Sequence, residues 1–172
     1  LCFFIETAMT REKEKKHLQN LSYVDSLTYA QNRNHFNEYL KKNRCKELHF
    51  VGVIYLDLNG LKEINDKMGH LAGDTLIISA SYVLQEIFAD NSYRIGGDEF
   101  VVIEQDVLES EFYSKYEMLL KRMKELEISV ATGYIWKERC LNLSETLQEA
   151  DQKMYEDKKR YYSIAQKDRR RR

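Results

Sequence analysis

The run Leu48–Leu58, LHFVGVIYLDL, limits the fold more than any other stretch of the chain. It is rich in β-branched and aromatic side chains, so it is expected to form a buried strand. Helical segments surround it. One is expected over 32–44, with Phe36 and Leu40 on one face. The segment 59–74 is expected as a loop carrying a short helix. Asp74 is expected to cap a helix over 75–88, with Leu76, Ile77, Ala80, Val83, Leu84 and Ile87 as its apolar face. Strands over 92–95 and 100–104 are expected to form a hairpin, with Gly96 and Gly97 supplying the positive φ of a tight turn. A helix over 108–126, a strand over 127–136 and a helix over 144–165 complete the order. Ser144 would open that last helix, and Leu147, Ala150, Met154 and Tyr155 would face inward. Strands and helices alternating around a hairpin predict a two-layer α/β sandwich with a central mixed sheet.

Bulk properties narrow the function. The 172 residues suit one domain, and the net charge of -1 provides no global field to recruit nucleic acid. Cys2, Cys45 and Cys140 are scattered, which indicates neither a disulfide framework nor a zinc site and fits a reducing, cytoplasmic setting. No apolar stretch reaches the roughly 18 residues a membrane span needs. Leu1-Cys2-Phe3-Phe4-Ile5 is apolar but short, lacks the basic start of a signal peptide, and is not preceded by Met. The chain is therefore expected to be a fragment of a larger protein. Residues 1–24 read either as a connector or coiled-coil stem or as a solvated surface helix. The Arg run 169–172 reads as a disordered tail or as a contact for anionic lipid or nucleic acid.

Two acidic clusters carry the chemistry. Asp57 lies near the end of the buried strand, and Asp98 and Glu99 follow Gly96-Gly97. A carboxylate on a buried strand costs solvation energy unless it is paired, and nothing basic adjoins either cluster in sequence. A Mg²⁺ ion would resolve this, since it takes one or two carboxylates plus substrate phosphates, and the pattern suggests phosphoryl or nucleotidyl transfer. Solvated acids at turns are the alternative. Five of the seven glycines fall within 60–73 and 96–97, where special turns or close ligand approach are expected. Gly60, Leu61 and Lys62 can offer backbone N–H groups and an ammonium to phosphates. Asn65 and Asp74 can each read a purine edge; an Asn in a turn and an Asp cap are the plainer readings.

The string Arg94-Ile95-Gly96-Gly97-Asp98-Glu99-Phe100 resembles the signature of the GGDEF family of diguanylate cyclases. Asp25-Ser26-Leu27-Thr28 with Asn32-Arg33 resembles that family's opening motif. The segment from Asp57 to Asp66, with Gly69-His70 and Gly73-Asp74, resembles its metal, phosphate and guanine segment. Ala150-Asp151, Met154-Tyr155 and Lys158 resemble its closing helix. The resemblance covers about 22–162.

The resemblance implies a palm-like nucleotidyl-cyclase fold, a central mixed or antiparallel sheet flanked by helices, with the catalytic domain over 25–165, a stem over 1–24 from an upstream sensor or membrane region, and a basic tail over 166–172. It implies that Asp57, the Leu58 carbonyl, Asp98 and Glu99 hold two Mg²⁺ or Mn²⁺ ions. Asp98 or Glu99 would deprotonate the ribose 3′-OH. Gly60, Leu61, Lys62 and Lys158 would hold phosphates, Asn65 and Asp74 would read guanine, and His70, Gly96 and Gly97 would lie against the nucleotide. The implied reaction joins two GTP molecules into cyclic di-GMP in a homodimer, inside a larger bacterial signalling protein whose membrane anchorage is left open. The other implied reading is a weak or inactive domain that binds GTP or dimerises.

Departures from the family pattern are specific. Tyr29-Ala30-Gln31 replaces Gly-Leu-Pro, Asn59 replaces a second Asp, and Tyr161-Tyr162 stands where Gly-Arg is common, Arg160 having a different helical phase. The family's product-inhibition motif, Arg-x-x-Asp, has Ile87 at the Arg position, with Asp90 in place. Asp74 favours GTP, since relatives that accept ATP tend to carry Ser there.

Overall fold

A computed structural model describes residues 23–169, with side chains through 163. The expected stem over 1–24 lies almost wholly outside the described residues, as does the tail beyond 169. The elements run β1 (Gln31–Asn32), α1 (Arg33–Asn43), β2 (Leu48–Leu58), α2 (Leu61–Met68), α3 (His70–Phe88), a 3-10 turn (Ala89–Asn91), β3 (Ser92–Arg94), β4 (Glu99–Glu104), α4 (Glu109–Glu125), β5 (Val130–Cys140) and α5 (Leu143–Arg169). The sheet order is β1-β3-β4-β2-β5. Only β1 and β3 are parallel; β3–β4, β4–β2 and β2–β5 are antiparallel. This is a mixed sheet, as the sequence suggested.

Helices cover both faces, so the sandwich has three layers where two were expected. The cause is the pleat. Successive side chains of β2 point to opposite faces, and apolar residues occupy both faces of its second half, with Asp57 the exception. Ile54, Leu56 and Leu58 pack with Ile77, Ala80 and Leu84 of α3 and with Phe112 and Leu119 of α4. Val51 and Val53 pack on the other side with Phe36 of α1 and with Leu147 and Ala150 of α5.

Three local expectations are corrected. Asp74 is not an N-cap: α3 begins at His70, because Gly69 at φ 85° turns the chain between α2 and α3. Asn142, not Ser144, caps α5, its Oδ1 accepting from Ser144 N at 3.1 Å. Tyr155 is half exposed, whereas Leu147, Ala150 and Met154 are buried as expected. The two-residue β1 was not anticipated.

The outer edge of β5 is covered by α5 at residues 132–134. Asp157 Oδ2 accepts from Thr132 N at 3.1 Å, and Lys153 Nζ donates to the Tyr134 carbonyl at 3.3 Å. Gly133 lets the helix come this close. A Cβ there would lie 2.0 Å from the Ala150 carbonyl oxygen and 2.3 Å from Met154 N.

Candidate active site

The pairing of β2 with β4 assembles the two acidic clusters. Asp57 stands opposite Glu99, and Leu58 N donates to the Asp98 carbonyl at 3.0 Å. Asp57 is only 2% exposed. Its Oδ2 accepts from Lys158 Nζ at 2.5 Å, and its Oδ1 is buried with no partner. Burial pushes the Asp57 carboxyl above its ordinary pKa; the Lys158 hydrogen bond pulls it back, while Asp98 and Glu99 push it further up. Burial works against the Lys158 charge, but Asp57 and Asp98 more than offset it and raise that ammonium's pKa. Among the described residues, Lys158 is the one cation acting on Asp57, against the like charges of Asp98 and Glu99.

The residues fit a hard divalent cation. An orphaned carboxylate oxygen faces a like-charged pair, and all are oxygen donors. No group of three or more His, Cys, Asp or Glu side chains that could hold a metal is preassembled among the described residues. Mg²⁺ commonly completes its shell with water and substrate phosphates, so a preassembled cage is not required.

The signature turn works by close approach, not by positive φ. Neither Gly96 nor Gly97 is left-handed; the positive-φ glycines are Gly60 and Gly69. A Cβ on Gly96 would lie 2.4 Å from Glu99 Oε2, so the Glu99 side chain folds over bare backbone. Ile95 N and Gly96 N both donate to the Glu99 carbonyl, at 3.0 and 3.3 Å. Arg94 braces the turn from outside, with Nη2 on the Gly97 carbonyl at 2.9 Å and Nη1 on Asp25 Oδ1 at 2.8 Å. The sequence contained both residues but no periodic cue joins them.

That ion pair gives a pH prediction. Burial raises the Asp25 pKa, but the hydrogen bonds from Arg94 and Thr28 outweigh it, and the net shift is downward. The folded state therefore binds this proton less readily than the unfolded state does. The stabilisation is complete above about pH 4 and is lost as pH falls through the depressed folded value. Thermal melts should show a steeper acid-side loss in the parent chain than in Asp25→Asn; equal slopes would remove Asp25 from the account.

The expected substrate residues line the start of α2 and α3. Gly60 is left-handed at φ 74° and leads into α2 with no side-chain cap, which leaves the first amides of that helix without intrahelical acceptors. Leu61 is half-buried, while Lys62 and His70 are exposed. Asn65 Oδ1 is buried and unpartnered, pressed against Gly73, where a Cβ would lie 2.0 Å away. Asp74, the next residue, is half exposed on the same helix. Asn59 donates to Ser129 Oγ at 3.2 Å and leaves its own Oδ1 buried without a partner. Three buried acceptors without donors thus lie within 57–65. Lys158 reaches Asp57 across 101 positions of sequence, which is why neighbouring residues gave no sign of the pair. Tyr162 lies close enough for Lys158 to feel its phenol, and its ring meets Tyr161 edge-on at 5.2 Å.

Comparison with known proteins shows the family of the domain. The family described as diguanylate cyclase, GGDEF domain, matches residues 22–162. The signalling protein YkoW of Bacillus subtilis is 35% identical over 180 residues, covering 91% of this chain and 22% of YkoW. The probable diguanylate cyclase DgcI of Escherichia coli is 31% identical, covering 83% of this chain and 32% of DgcI. Other relatives, at 34% and 31% identity, carry the name cyclic di-GMP phosphodiesterase. The chain thus spans less than a third of the length of these curated relatives. The coiled coil and GGDEF domain of DgcB from Caulobacter crescentus, solved in complex with c-di-GMP, superposes with a TM-score of 0.73. That match covers 91% of this chain and 92% of the other at 20% identity, a likeness of fold.

Proposed function

The chain belongs to the diguanylate cyclase GGDEF-domain family, and from that premise we propose that it condenses two GTP molecules into cyclic di-GMP. One observation carries the reading: the buried, half-paired Asp57 facing Asp98 and Glu99 across the β2–β4 ladder. Asp57, the Leu58 carbonyl, Asp98 and Glu99 would hold two Mg²⁺ or Mn²⁺ ions. When bound, the metal supplies positive charge for the triphosphate and lowers the pKa of the attacking hydroxyl.

The chain's own groups do the rest. Asn65 Oδ1 and Asp74 accept from the guanine N–H groups, a pairing adenine does not offer. The Gly60 and Leu61 amides, Lys62 and Lys158 hold phosphate oxygens, while His70, Gly96 and Gly97 border the nucleotide. Lys158 already stands at Asp57 and meets phosphates entering beside that carboxylate. Asp98 or Glu99 takes the proton of a ribose 3′-OH. The freed oxygen bonds to the α-phosphorus of the other GTP, and the bond to the β-phosphate breaks with its electron pair leaving on pyrophosphate. A second round closes the ring. Each domain holds one GTP, so two copies must face each other.

The test is direct: GTP and Mg²⁺ are supplied to the dimerised protein and the nucleotides are separated. Absence of cyclic di-GMP there would favour the other reading, a domain that binds GTP or dimerises, which the phosphodiesterase-named relatives support. Synthesis is also expected to continue unchanged in excess cyclic di-GMP, because Ile87 stands where the inhibitory motif has Arg beside Asp90. Tight inhibitory product binding at that surface would refute this.

No helix among the described residues is long and apolar enough to cross a membrane. We propose a cytoplasmic domain of a larger signalling protein, joined through residues 1–24 to a sensor.

A further inference from the structure

A second polar recess, of about 360 Å³, opens beside the signature turn. Arg33 and Asn34 from the first turn of α1, Asp25, Arg94, Ile95 and Gly96 form its walls. Of the residues proposed to hold the domain's own GTP, only Gly96 borders it. Asp25 is already engaged by Arg94 at 2.8 Å. The Arg33 side chain is exposed and makes no hydrogen bond or ion pair among the described residues. The recess therefore presents a guanidinium that no described residue engages.

The recess places Arg33 beside Arg94, Ile95 and Gly96, at the start of the signature turn that carries Asp98 and Glu99. Arg33 is outside the set of groups that would hold the domain's own nucleotide.

We propose that this recess receives the phosphate chain of the GTP carried by the facing copy, with Arg33 as its principal contact. The inference rests on the diguanylate cyclase reading, in which neither copy holds both reactants. Whatever orients the second nucleotide must lie beside the signature turn but outside the first nucleotide's own site, and the recess satisfies both conditions. Guanidinium suits the ligand, since its planar fork matches phosphate oxygens two at a time. Lysine would supply the charge without the fork.

The test uses the whole chain with a GTP analogue that cannot react, so it does not depend on turnover. Analogue binding to dilute, monomeric protein and analogue-driven dimerisation are measured for the parent chain, Arg33→Ala and Arg33→Lys. Arg33→Ala should bind analogue as a monomer within about twofold of the parent but dimerise on it at least about tenfold more weakly, the scale of losing a charged hydrogen bond. Arg33→Lys should recover part of that loss, and melting temperatures should match. Equal dimerisation by Arg33→Ala, or no analogue-driven dimerisation by the parent, overturns the proposal. So does weaker binding by monomeric Arg33→Ala, since the residue would then serve its own copy's nucleotide. Turnover from GTP is read separately. A parent chain that dimerises on the analogue but makes no cyclic di-GMP counts against the cyclase reading alone.

Discussion

Replacing Asp98 and Glu99 together by alanine is expected to reduce cyclic di-GMP formation about 10³-fold or more, the scale of losing preorganised transition-state electrostatics. The melting temperature should stay at or above that of the parent chain. The second expectation separates a functional pair from a structural one. Both carboxylates push the Asp57 carboxyl upward, which means that they crowd like charge around a buried group. Removing them relieves that repulsion and leaves the Lys158–Asp57 pair in place. Chromatography of nucleotides after incubation with GTP and Mg²⁺ reads the rate, and a thermal melt reads the fold. Retained synthesis would show that the site is misassigned. A large fall in melting temperature would show that the pair supports the hairpin instead.

Gly133→Ala is expected to destabilise the domain by about 3 kcal/mol, at the upper end of the range for overpacking, and to weaken the active site with it. The new methyl would meet two backbone atoms of α5, the Ala150 oxygen at 2.0 Å and Met154 N at 2.3 Å. Backbone cannot swing aside as a side chain can, so the helix has to move off β5. That movement carries Lys158 away from Asp57 and leaves the buried carboxylate without its ammonium. Urea unfolding measures the first effect, and GTP affinity at constant Mg²⁺ measures the second. An alanine variant with an unchanged unfolding midpoint would mean that the strand–helix contact is looser than these distances state.

The sequence disclosed those parts whose information is local. The strand Leu48–Leu58 was legible to the residue, because a run of apolar β-formers needs no knowledge of its neighbours. The same run held a hint that was missed. Val51 and Val53 alternate with Ile54 and Leu56 toward opposite faces, and apolar residues on both sides call for helices on both sides. The start of α3 was misplaced because Asp74 looks like a cap, while the real boundary is a backbone conformation at Gly69. In the acidic site, the carboxylates were visible as residue types, but their partners were not. Lys158 on Asp57 and Arg94 on Asp25 are products of the chain's return across 101 and 69 positions, and no spacing rule encodes them. The signature glycines were expected to supply positive φ, which neither does; Gly96 instead makes room for Glu99.

The contacts by which α5 closes the outer strand have a bearing on self-association. A long strand with one free side invites another chain to extend the sheet, the usual route to aggregates and wrong dimers. Here Asp157 occupies the Thr132 amide and Lys153 the Tyr134 carbonyl, so an incoming strand would have to break both contacts before pairing with that stretch of β5. A protein whose proposed chemistry requires two copies to meet mouth to mouth gains from having the competing edge-to-edge encounter obstructed. The same helix thus carries the ammonium at the proposed reaction centre and guards part of the border of the sheet, and collisions that would only build a ribbon are discouraged in favour of those that can end in a bond.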